Sequence, residues 1–115
     1  MPLGAKEIIL GERAASAFSD LERSKDPTAM SIAKRVRAYG RILLADCLHG
    51  EVVGKGQIPK ALRDAHGLSN LYIEDLPSFW RLLYTIVRDG GSRYVVIVEI
   101  VDHRAYSRWF PGRKR

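Results

Sequence analysis

Four residues of this 115-residue chain have the types and spacing to do chemistry together: Arg81, His103, Arg104 and Tyr106. Arg81 follows Trp80 inside the otherwise apolar run Phe79–Val87. Strand alternation places Arg81, Leu83 and Thr85 on one face and Trp80, Leu82, Tyr84 and Ile86 on the other. A charge in so apolar a segment needs a partner, because an unpaired buried charge is expensive. That partner is either a carboxylate, with Glu99 on the next strand a candidate, or an anionic ligand. The second cluster, Asp102-His103-Arg104-Ala105-Tyr106, comes where the long apolar run Arg93–Val101 ends. An imidazole suits proton transfer near neutrality. An arginine beside it can steady a phosphate, and a tyrosine can stack on a base or give up a proton.

The elements that must position these residues are legible from periodicity. Lys6–Leu10 reads as a short opening strand. Ala14, Ala15, Phe18 and Leu21 recur at helical spacing. Asp26-Pro27 is an N-cap and first-turn pair for a second helix over residues 27–48. The apolar stripe of that helix is Ala29, Ile32, Ala33, Val36, Tyr39, Leu43 and Cys47, with Lys34, Arg37 and Arg41 on an exposed face. Residues 50–70, punctuated by Gly50, Gly54, Gly56, Pro59 and Gly67, read as a loop with a helical turn at Pro59–Ala65. Strand signals follow at 71–73, 79–87 and 93–101, the last two joined by the hairpin turn Asp89-Gly90-Gly91. The expected fold is α+β: an N-terminal helical hairpin packed on a small antiparallel sheet, in the order β-α-α-β-β-β. Residues 1–110 form a single domain in this reading, and 111–115 a basic tail.

Composition narrows the functional classes. The net charge is +6, and Arg104, Arg108, Arg113, Lys114 and Arg115 follow Asp102 with no acid among them. Such a concentration attracts polyanions, above all nucleic acid phosphates. A single cysteine, Cys47, and no long apolar run point to a cytoplasmic protein away from membranes. No phosphate-binding glycine loop, no zinc-ligand spacing and no nucleophile-elbow pattern is present, so the expected chemistry uses no metal and no cofactor.

The segments Leu71-Tyr72, Leu76-Pro77 and Trp80-Arg81-Leu82-Leu83-Tyr84, then Gly90-Gly91, Tyr94–Val101 and His103-Arg104-Ala105-Tyr106, together resemble the C-terminal half of RelE/ParE-type toxins. The resemblance implies a helical hairpin on a small sheet. It also implies a metal-independent endoribonuclease that cuts ribosome-bound messenger by 2′-OH attack on the adjacent phosphate. Carried over residue by residue, Arg81 is the phosphate-stabilising arginine, His103 the proton-transfer group and Tyr106 the aromatic that orients the base. Arg104 and Arg108 assist with phosphates, and Lys55 or Lys60 from the preceding loop would stand in for the family's strand lysines. The implied partners are the ribosome with its messenger and a cognate antitoxin, acidic and partly disordered. One departure is Glu74-Asp75, acidic where the ribosome-dependent branch carries lysines. A non-catalytic member of the same fold, either a gyrase-inhibiting ParE-like toxin or an RNA- or partner-binding domain, is the second expectation.

Overall fold

A computed structural model describes residues 2–112. The chain runs β1 (Glu7–Leu10), α1 (Glu12–Arg23), α2 (Pro27–Ala45), β2 (Glu51–Val52), α3 (Lys60–His66), β3 (Tyr72–Asp75), β4 (Arg81–Asp89), β5 (Ser92–Val101) and α4 (His103–Trp109). It is an α+β fold, with one five-stranded sheet in the order β1-β5-β4-β3-β2. Three of the four pairings are antiparallel, and β1 lies parallel to β5, Ile8 beside Val95. The sheet is thus mixed where an antiparallel one was expected. The helical hairpin explains this: it carries the chain over the sheet between β1 and β2, so β1 is free to run alongside β5 at the far edge.

The hairpin forms for local reasons. Asp26 caps α2, its Oδ2 accepting the Ala29 N–H at 3.1 Å, and Pro27 sits in the first turn where its missing N–H costs nothing. The helix ends at Ala45, three residues before the 48 expected from its apolar stripe. Asp46 turns extended and its Oδ1 accepts the Leu48 N–H, while the Cys47 N–H donates to Leu3 O. Cys47 is buried as expected, but from a turn and not from the helix.

Both faces of the sheet are covered. On one, Ala14, Leu21, Ile32, Ala33, Val36 and Leu43 of the hairpin pack on Leu82, Tyr84, Val95, Ile97 and Ile100. On the other, Leu62 of α3 and Tyr106 and Phe110 of the α4 region pack on Ile73, Leu83 and Val98. A bulge in β5 makes this second core possible. Leu83 pairs with Glu99 but Tyr84 pairs with Ile97, which leaves Val98 unopposed and turns Val98 and Glu99 to the same side. The stretch 50–70 holds more order than a loop: β2 pairs with β3, and α3 ends at Gly67 in the left-handed region at φ 63°.

Candidate functional site

β4 begins at Arg81, directly opposite Asp75 in β3 and Val101 in β5. The side chain is 3% exposed. Its Nε lies 3.2 Å from Asp75 Oδ1 without the alignment of a hydrogen bond, Nη1 donates to Trp80 O at 3.0 Å, and the guanidinium sits 4.9 Å from the centre of the Tyr106 ring. Asp75, not Glu99, is therefore its carboxylate. The bulge sets Glu99 opposite Leu83, where Arg13 Nε and His66 Nε2 both donate to Glu99 Oε2 at 2.8 Å. Glu74 also has a partner: buried, it lies 2.7 Å from His49 Nδ1, and burial pushes its carboxyl above the usual range. The acidic pair is thus engaged by Arg81 at Asp75 and by the His49 imidazole at Glu74.

α4 starts at Asp102, whose Oδ1 accepts the Ala105 N–H at 2.9 Å. Tyr106 is 1% exposed and stacks on Phe110 with ring centres 5.0 Å apart, so it cannot meet a base. His103, Arg104 and Arg108 are exposed on the outer surface of the helix. His103 Nε2 lies 3.3 Å from Ser107 Oγ, one turn on.

Sequence reasoning missed Phe79, which it placed in the strand. Residues Pro77–Phe79 instead make a tight turn, closed by Leu76 N–H donating to Trp80 O at 2.9 Å. Ser78 and Phe79 are both left-handed, at φ 59° and 64°. For residues with a Cβ that conformation costs roughly 1–2 kcal/mol each. The turn leaves the Phe79 ring 66% exposed, its edge to the His103 imidazole with centres 5.9 Å apart. Pro77-Ser78 was the available signal, because both are turn formers. Phe79 also lines a depression of about 370 Å³ together with Asp75, Leu76, Ser78 and Arg81.

The structure therefore brings Arg81, Tyr106 and His103 to one end of the sheet, the first two buried and the third at the surface. Arg104 lies beside His103, with Arg108 one turn further on. Lys55 and Lys60 belong to the segment nearest the other end of α4, where Gln57, Trp109 and Phe110 line one crevice. Lys60 is bound to Asp64 at 2.6 Å. Residues 113–115 of the expected basic tail lie outside the described residues. Among the described residues no cluster of His, Cys, Asp or Glu is placed to hold a metal, and no helix is long and apolar enough to cross a membrane. What the site offers is an exposed imidazole, an exposed aromatic ring and adjacent positive charge. Compared with known proteins, the chain matches no family model, no curated protein and no solved structure.

Proposed function

We propose that the chain is a RelE/ParE-type toxin acting on ribosome-bound messenger, and that His103 carries its chemistry. The observation that bears most weight is the exposed His103–Phe79 pair at the end of the sheet where Arg81 is buried. In this reading Phe79 stacks on a base, and Arg104 and Arg108 hold neighbouring phosphates. The 2′ oxygen attacks the adjacent phosphorus while its proton passes to the imidazole. The bond from phosphorus to the 5′ oxygen breaks, and the imidazolium returns the proton to that oxygen, leaving a 2′,3′-cyclic phosphate and a 5′-hydroxyl. Arg81 and Tyr106 touch no substrate here; their role is to fix the turn and the start of α4.

Inhibition by an acidic, partly disordered antitoxin is part of the same proposal. A shallow cleft of about 640 Å³ on the helical hairpin supports it, because Leu21 and Met30 give it apolar surface and Lys34 positive charge, while Arg37 at its rim is paired with Glu22. The test is induced expression with primer-extension mapping of a reporter messenger. Wild type is expected to arrest growth and cut within translated regions, and His103→Ala to do neither. Unchanged cuts in His103→Ala overturn the assignment. Arrest without cuts favours the second reading, a non-catalytic gyrase-inhibiting or partner-binding member, for which the neutralisation of Arg81 by Asp75 speaks.

A further inference from the structure

The hairpin at the opposite end of the sheet carries a second basic feature. Arg88 and Arg93 are directly opposite each other in the β4–β5 ladder. Like charges so placed repel and destabilise a sheet. Among the described residues neither makes an ion pair, and Asp89 at the end of β4 bridges to neither. Arg88 is exposed, and half-buried Arg93 is tethered only by its Nε donating to Gly4 O at 3.3 Å.

Both arginines line a groove of about 620 Å³ that also includes His66, Ser69, Tyr72 and Ile86. The groove opens because β3 pairs with β4 only as far as Tyr84. Beyond that point the Asn70 side chain replaces the missing strand, its Oδ1 accepting Ile86 N–H at 2.8 Å and its Nδ2 donating to Ile86 O at 2.9 Å. His66 is oriented by Glu99, which accepts from its Nε2. The result is an apolar floor under two unneutralised cations.

From this juxtaposition we infer that the Arg88/Arg93 groove binds the phosphodiester backbone of single-stranded RNA, as a second contact remote from His103. The inference rests on the RNA-directed reading above. Arg88 is seven residue steps along the strand from Arg81, about 23 Å at 3.3 Å per residue, so one RNA must be long enough to reach both ends. A bound phosphate relieves the repulsion between the two guanidiniums, and a base rests on Tyr72 and Ile86.

The experiment measures binding of labelled RNA oligomers of about 4 and about 12 nucleotides across a salt series. It uses His103→Asn protein, so that no strand is cut, with and without Arg88→Gln/Arg93→Gln. The parent is expected to favour the longer oligomer. The arginine variant is expected to lose that preference, and its slope of log affinity against log salt to become shallower by about 1.4, or about 0.7 for each lost phosphate contact. Its melting temperature is expected to hold or rise, since a repulsive pair is removed; a clear fall would mark the arginines as structural and overturn the inference. Equal slopes and equal length preference overturn it too, and so does binding of neither oligomer. Failure here leaves messenger cutting by His103 untouched. Conversely, a lost preference together with unchanged cuts in His103→Ala would remove the catalytic reading and keep the groove.

Discussion

At the scale of single residues, charge has been divided between the interior and the surface. Arg81 and Glu74 are buried and paired, whereas His103, Arg104 and Arg108 face solvent. Arg81→Ala is accordingly a poor probe of chemistry, because it removes packing under Tyr106 as well as charge. Asp75→Asn is the sharper stability test: it leaves a buried guanidinium without its carboxylate, and a loss of about 2 kcal/mol by denaturant unfolding is expected. Glu74 supplies a pH dependence. Burial raises its folded pKa above the ordinary 4.5, so protonation favours the folded state. That contribution is full below the unfolded value and is lost as pH rises through the folded one. Thermal melts of Glu74→Gln are expected to lack this part of the pH dependence in the window just above 4.5; parallel curves for variant and wild type contradict it. The sequence singled out Arg81, His103 and Tyr106, and the structure does gather them at one end of the sheet. Their exposure was not legible, because it depends on which side of a short helix each residue falls and, for Arg81, on a register that sets Asp75 opposite it.

At the scale of elements, turns and edges decide what the site looks like. The alternation that predicts a strand through Phe79 is overridden by Pro77-Ser78, and only the resulting turn exposes the ring. Both α-helices of the hairpin, the meander and its glycine turn were readable from periodicity and turn chemistry. The two-residue β2 was not, since so short a segment has no period to read. Gly50 lies at the entry to β2, where an added Cβ would stand 2.8 Å from the Tyr84 hydroxyl and 3.0 Å from Ile73 O. The hydroxyl is itself fixed, donating to Cys47 O and accepting from Gly50 N–H. Gly50→Ala is therefore expected to cost about 1–3 kcal/mol, measured by urea unfolding, and a neutral outcome would mean the turn can yield. Asn70→Ala strips two backbone groups of Ile86 and the Thr85 hydroxyl of their partner, and a comparable loss is expected.

At the scale of the whole molecule, the helical hairpin closes one face of the sheet and α3 with α4 closes the other, so the two proposed surfaces lie at its ends. One end presents Phe79, His103 and Arg104, and the other presents Arg88 and Arg93. Burial of Tyr106 and Arg81 is then the foundation of the first surface. The most direct test of this account combines the purified protein with ribosomes carrying a defined messenger and identifies the ends of the cut product. Wild type is predicted to leave a 2′,3′-cyclic phosphate and a 5′-hydroxyl. His103→Ala is predicted to leave the messenger whole while melting within the small range of a surface substitution, about 0.5 kcal/mol. Cleavage by His103→Ala at the wild-type positions, with the same ends, would contradict the account.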